Sequence, residues 1–188
     1  MSRVWLRWFL ALLVVGLGAV AFLFARGPAS WQRQYYPLHY QTQIAESAAR
    51  HRVSPYLVAA VINAESGWKP SIRSAAGAVG LMQVMPHTAR DLASAGTVDA
   101  TRFPPSDLTS PTVNIEYGTA YLRFLVSRYH EVETVLAAYN AGLRHADEWA
   151  KKGGDIRTAI QFHETKAYVL KVVRGRDRYQ ALYPTSFQ

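Results

Sequence analysis

Tyr56-Leu-Val-Ala-Ala-Val-Ile-Asn-Ala-Glu-Ser-Gly67 is the stretch on which the reading of this chain turns. It predicts a short, mostly apolar helix carrying one acid, Glu65, in its last turn. Ser54 is a candidate N-cap, and Pro55 suits the first helical position, where a missing N–H costs nothing. Gly67 is the expected stop. Val58, Val61, Ile62 and Glu65 fall at i, i+3, i+4 and i+7, so the acid shares a face that is otherwise hydrophobic. Desolvation against Val61 and Ile62 and the negative end of the helix dipole both disfavour its carboxylate. An acid held protonated near neutrality is what a general acid for cleaving a glycosidic bond requires. A helix-end Glu more often points to water, because buried unpaired acids are rare. The company Glu65 keeps along the chain argues for the first reading.

After this helix comes a tract rich in small residues, Gly77-Ala-Val-Gly80, where backbone can approach backbone or ligand closely. Thr88–Ala95 reads as a short helix stopped by Gly96. The segment 97–110 is irregular, with Pro104-Pro105. Ser110-Pro111 repeats the cap-plus-proline start and opens a longer helix with the face Ile115, Gly118, Leu122, Leu125 and Tyr129. Gly118 inside a helix costs about 1 kcal/mol against Ala, so it marks close helix packing. A further helix spans roughly Glu133–Asn140, Gly153-Gly154 is a loop, and a last helix covers about Thr165–Tyr179. Upstream, a first helix begins near Tyr40, with Ile44, Ala48 and His51 on one face. No alternating pattern long enough for a sheet is present, so the expected class is all-α.

The 188 residues suffice for one domain and an appendage. Residues 1–26 are read as a signal anchor or transmembrane segment, 27–39 as a stalk and 40–188 as the principal domain. Trp8–Ala25 is an uncharged run of 18 residues flanked by Arg3, Arg7 and Arg26, long enough to span a bilayer as a helix. Ala19-Val20-Ala21 has the form of a cleavage site but lies inside the run, so an uncleaved anchor is preferred to a cleaved signal. The absence of cysteine excludes disulfides, thiolate metal sites and Cys nucleophiles. The formal charge of +8 suits an anionic polymer or a membrane surface. The scattered Lys and Arg residues form no nucleic-acid motif. His87, His145 and His163 lack metal-ligand spacing, so neither metal nor cofactor is expected.

Four islands, Glu65-Ser66, Gly80-Leu-Met-Gln83, Ala138-Tyr-Asn-Ala-Gly142 and Glu164-Thr-x-x-Tyr168-Val169, together resemble the catalytic domain of the soluble-lytic-transglycosylase family, related to goose-type lysozyme. The resemblance runs from about Tyr40 to Tyr183 and includes Ser110-Pro-x-x-Asn-Ile-x-x-Gly-x-x-Tyr-Leu122. It implies a helical, lysozyme-like fold and an enzyme that cleaves between N-acetylmuramic acid and N-acetylglucosamine in peptidoglycan. Matched motif by motif, Glu65 is the catalytic acid/base. Ser74 orients substrate or acid, Gln83 and Met85 line the sugar cleft, and Tyr139 and Asn140 lie near the acid. Glu164 is a buried structural or binding carboxylate, and Tyr168 faces the cleft. Lys69-Pro70 and Ser110 depart from the family's usual residues and bear on substrate preference.

Glycosidases with two carboxylates hold them roughly 5–5.5 Å or 6.5–9.5 Å apart. After Glu65 no acid follows until Asp91, which favours a route in which the substrate supplies its own nucleophile and closes a 1,6-anhydro ring. Asn140 and Tyr139 are neutral donors suited to developing charge. Tyr139 fits core packing equally well, and Glu164 fits a helix N-terminal carboxylate. Trp68 suits sugar stacking or packing against the helix end. The readings in order are a lytic transglycosylase anchored in the cytoplasmic membrane and facing outward, a lysozyme-type hydrolase, and a non-catalytic glycan-binding scaffold of an envelope machine. Secretion after signal cleavage is the alternative to anchoring.

Overall fold

The computed structural model describes residues 3–187, leaving out the side chains at positions 3, 21 and 23–26. The chain divides into two compact units, 1–37 and 38–188. The first contains α1 (Arg3–Arg26) and α2 (Ala29–Tyr35). Its described apolar side chains, Trp5, Leu12 and Val14 among them, are exposed. Among the described residues no helix is long and apolar enough to cross a membrane. The side chains of Arg3, Ala21 and Arg26, used above to delimit an anchor, lie outside them. Seven residues of the expected stalk form α2, whose turn after Pro28 is closed by Gln32 Nε2 donating to the Gly27 carbonyl at 2.8 Å.

The second unit runs α3 (Gln41–His51), α4 (Pro55–Glu65), α5 (Pro86–Ser94), α6 (Pro111–Tyr129), α7 (Val132–Ala141), α8 (Leu143–Ala150), α9 (Ile156–Ala159) and α10 (His163–Leu182). Three helices start on proline, at Pro55, Pro86 and Pro111, each after an extended residue. Neither Ser54 nor Ser110 makes a side-chain cap, and the third start follows Met85, which has no capping oxygen. Proline's fixed φ, with no N–H to satisfy, therefore sets these starts, and the serines are replaceable neighbours. It also moves the start of α5 two residues ahead of the expected Thr88.

Helix α4 is the buried axis, with Leu57 through Ile62 all in the core. Helix α10 packs along it, and α3 packs on α4 and α6. Gly175 permits the close approach of α10, since a Cβ there would lie 3.3 Å from the Ala60 Cβ. Helix α6 is covered over most of its circumference, including the polar Asn114 and Glu116. Asn114 gives both amide protons to the Val79 and Leu108 carbonyls at 2.8 Å and accepts from Met82 N–H at 2.7 Å. That ties the small-residue tract to α6. Gly80 (φ +80°) is required there, because a Cβ would collide with the Asn114 side chain and the Leu108 carbonyl. At Gly118 the close neighbour is the Met82 side chain of the tract, where the sequence suggested another helix.

The tract forms no strand, only the isolated antiparallel bridges Arg73–Val79 and Val79–Val84. The sequence reading passed over α8 and α9. Helix α8 buries Ala146 and Trp149 on one face and turns its charged residues to the other, an amphipathic pattern only about two turns long.

Candidate active site

Glu65 ends α4 and is half-buried, on the same face as the fully buried Val58, Val61 and Ile62. The chain then turns away. Ser66 donates from both its N–H and its Oγ to the Ile62 carbonyl at 3.1 Å, and Gly67 takes φ +56°. Burial pushes the Glu65 carboxyl up to about 7. Two groups on α10 oppose this less strongly, the Tyr168 hydroxyl and then the Lys171 ammonium. The Tyr168 hydroxyl is fully buried with no partner in hydrogen-bond geometry, so its contact with the Glu65 carboxyl is looser than a hydrogen bond. No second carboxylate is among the groups acting on Glu65. At neutral pH this acid is divided between its protonated and ionised forms, so it can give a proton and take one back.

Tyr139, on α7, is held by its hydroxyl donating to the Met82 carbonyl at 2.8 Å. Its phenol is raised well above the usual range by burial and then by the charge of Glu65, which puts the two within electrostatic reach. Tyr139 thus fills both roles suggested for it, packing and proximity to the acid. Its ring leans on Tyr121 at 5.4 Å between centroids.

A cavity of about 300 Å³ opens beside Tyr139 and is lined by Gln83, Met85, His87, Tyr121 and Asn140 among others. Four sequence-selected residues, Gln83, Met85, Tyr139 and Asn140, thus meet at one opening although they lie on different segments. Gln83 is fixed at φ +48°, with Nε2 donating to the Gly80 carbonyl at 2.9 Å and to that of Ile72 at 3.3 Å. Asn140 is exposed, and its Oδ1 accepts from Thr165 Oγ1 at 2.8 Å. A second cavity of about 480 Å³ shares His87, Thr88, Tyr121 and Gly142 with the first and continues over Leu92, Phe124 and Leu143. Glu65 is not among the residues lining either cavity; its charge acts on Tyr139, which lines the first.

Two sequence-selected residues are placed differently from what the resemblance implies. Ser74 is exposed, and its Oγ accepts from Ala78 N–H at 3.0 Å, closing its own turn. Glu164, which the resemblance implies is buried, is exposed in the first turn of α10, the helix N-terminal position its own residue context suggested. The helical period turns Thr165 and Val169 inward and leaves Glu164 outside, where the dipole stabilises it. Of the two readings given for Trp68, stacking on sugar and packing against the helix end, the structure takes packing. The side chain is only 7% exposed, stacks on Tyr40, and donates from Nε1 to the Tyr179 hydroxyl at 3.1 Å.

Tyr121, His87, Thr165 and Lys171 were missed. The stacked Tyr121 and Phe124, three apart on α6, were legible as a helical-spacing aromatic pair. The position of Lys171 beside Glu65 had no local signal. The buried acid of this unit is Glu116, 2% exposed. Arg50 Nη2 donates to it at 2.7 Å and His51 Nε2 lies 2.8 Å away. Burial raises it, but the hydrogen bonds from His51 and Arg50 prevail and hold it at about 2. So tied, it is a structural anion and not a proton donor.

The transglycosylase SLT domain profile matches residues 42–162. The chain is 38% identical over 138 residues to a transglycosylase of Enterobacteria phage PRD1, covering 73% of this chain and 43% of that protein. It is 32% identical over 155 residues to the soluble lytic murein transglycosylase of Salmonella typhimurium, covering 79% and 23%. In three dimensions it matches the 70 kDa soluble lytic transglycosylase of Escherichia coli with TM-score 0.75 and 27% identity, over 84% of this chain and 27% of that one. It also matches an inactive Glu-to-Gln variant of the lytic transglycosylase Slt of Pseudomonas aeruginosa, with TM-score 0.71 and 28% identity over 78% and 25%. The chain spans less than half the length of each of these relatives. With a profile match across most of the second unit and the helical order and tract geometry described above, this chain belongs to the transglycosylase SLT domain family.

Proposed function

We propose that the chain is a peptidoglycan lytic transglycosylase in which Glu65 is the single acid/base. The observation that carries this is a lone carboxyl, held near pKa 7 by burial and acting on Tyr139, which lines a groove of neutral donors and aromatic rings. Protonated Glu65 gives its proton to the oxygen leaving the muramic-acid carbon, and the C–O bond breaks. The muramyl N-acetyl oxygen shares the resulting positive charge, which suits a site with no second carboxylate. The Glu65 carboxylate then takes the proton of the sugar's 6-hydroxyl as that oxygen closes the 1,6-anhydro ring. The proton returns to Glu65, and no water is consumed. Gln83, Met85, Tyr139 and Asn140 line the sugar cleft, with Tyr168 beside the acid. Ser74 and Glu164 contribute from exposed positions.

The relatives' names support the substrate class, and the inactive Glu-to-Gln relative supports dependence on one glutamate. Digestion of purified sacculi followed by mass analysis of the muropeptides is the test. Anhydro products are expected; products heavier by one water would make the enzyme a lysozyme-type hydrolase. Glu65→Gln that binds sacculi and retains wild-type cleavage would remove the assignment altogether.

The domain limits 1–26, 27–39 and 40–188 belong to this proposal. So does attachment of residues 1–26 to the cytoplasmic membrane with the remainder outside. Its support is the uncharged run Trp8–Ala25 and the nature of the substrate. Fractionation of the full chain with membranes, resistant to alkaline carbonate, is expected; recovery in the soluble fraction would overturn the anchor.

A further inference from the structure

The last carbonyls of α4 have no partner within the helix, and they lie directly beside Glu65. The Ile62 carbonyl is taken by Ser66. The Ala64 carbonyl, one residue before the acid, accepts from Lys171 Nζ at 3.1 Å. Lys171 is on α10, the helix that Gly175 allows to lie close along α4, and it follows Tyr168 by three residues, so both point to the same end of α4. A cation on a helix carbonyl terminus offsets the negative end of the dipole. We propose that Lys171 is a positioning residue for the acid: it caps the carbonyl end of α4 and, with its charge, sets how readily Glu65 gives up its proton.

The other groups around Glu65 do not duplicate this. From α10 Tyr168 brings a neutral hydroxyl, and from α7 Tyr139 brings another, already committed to Met82. Helix α3, also packed on α4, commits its Arg50 and His51 to Glu116 and its Glu46 to Arg50. Lys171 is therefore the one cation acting on the acid among the described residues. Its function follows from the two halves of the reaction. Burial and the helix terminus favour the protonated acid that starts cleavage. The subsequent removal of the 6-hydroxyl proton needs the carboxylate, and a cation at the helix end favours that form. Without Lys171 the acid would bind its proton too tightly for the second half.

This rests on Glu65 as the acid, and the test separates the two claims. The full-length protein and its Lys171→Met, Lys171→Gln and Lys171→Arg variants are compared for the pH dependence of kcat/KM on sacculi. The Glu65 carboxyl is titrated by carbon NMR, assigned through the signal lost in Glu65→Gln. In Lys171→Met and Lys171→Gln the alkaline limb and the carboxyl titration should both move up by about half a pH unit. Lys171→Arg should restore them. Gln keeps a donor for the Ala64 carbonyl without the charge, so a shift there assigns the effect to charge. A folded, active Lys171→Gln with an unmoved limb and an unmoved titration overturns the proposal. Wild-type turnover in Glu65→Gln would instead overturn the assignment of the acid, while the carboxyl titration would still report on Lys171.

Discussion

Two glutamates in the same unit, Glu65 and Glu116, face opposite electrostatic fates. Both pay for burial, which raises a carboxyl in each case. At Glu116 the hydrogen bonds from His51 and Arg50 outweigh burial, and the group is an anion held at about 2. At Glu65 the opposing groups are one loose hydroxyl and one exposed lysine, so burial prevails and the group rests at about 7. The deeper of the two acids is the less reactive. Depth alone therefore does not mark a proton donor; what marks it is depth without a committed partner.

The most severe way to break this contrast is to remove the proton. Glu65→Gln should lower kcat on sacculi by about a hundredfold to ten-thousandfold while leaving glycan binding in place. In the wild type the alkaline limb of the activity profile should fall through about pH 7 as Glu65 ionises. A profile flat through neutrality would show that another group governs the acid step.

Next in size is the loss of the partnered acid. Glu116→Gln leaves Arg50 and His51 facing a neutral amide and should destabilise the second unit by about 3–5 kcal/mol in chemical denaturation. Because its folded pKa is depressed, the stability Glu116 contributes is present above the unfolded value near 4.5 and is lost as pH falls from there towards about 2. The wild type should therefore lose stability faster than Glu116→Gln in that window.

Glu65 has the opposite sign. Its folded pKa is raised, so its cost grows as pH rises from about 4.5 through about 7. Glu65→Gln should consequently be more stable than the wild type by about 1–3 kcal/mol at pH 8 and show no such gain below pH 4.5. Equal melting temperatures at pH 8 would mean that Glu65 is more solvated than its surroundings indicate. The smallest expected effect is at Tyr139→Phe, which leaves the Met82 carbonyl without its donor. It should cost about 1 kcal/mol in stability, with a modest fall in kcat as the ring beside the acid loosens.

Much of this was written locally. The proline starts of α4 and α6 and the apolar face leading to Glu65 follow from backbone sterics and helical period, which are properties of neighbouring residues. The neighbours that demand glycine at positions 80 and 118, by contrast, come from distant segments. Ser54 and Ser110 hold the N-cap positions expected of them but make no side-chain cap bond. Errors arose where the deciding partner lies far along the chain. Glu164 was misplaced because its burial depended on the rotation of α10 against α4 and α7, which a motif does not specify. Helix α8 was passed over although its sequence is strongly amphipathic; its signal spans only eight residues.

By itself the sequence determined an all-helical chain, the helix that carries Glu65 at its end, and the family to which its motifs conform, because helical period and steric limits act within a few residues. Only the tertiary structure decided that Glu116 would be ionised and Glu65 left near neutrality, that Tyr139 would be pinned to Met82, and that Lys171 would reach the end of α4. Those outcomes depend on charges and dipoles brought together from distant segments. Electrostatic energy is set by distance and solvent exposure, and neither exists until the helices have packed.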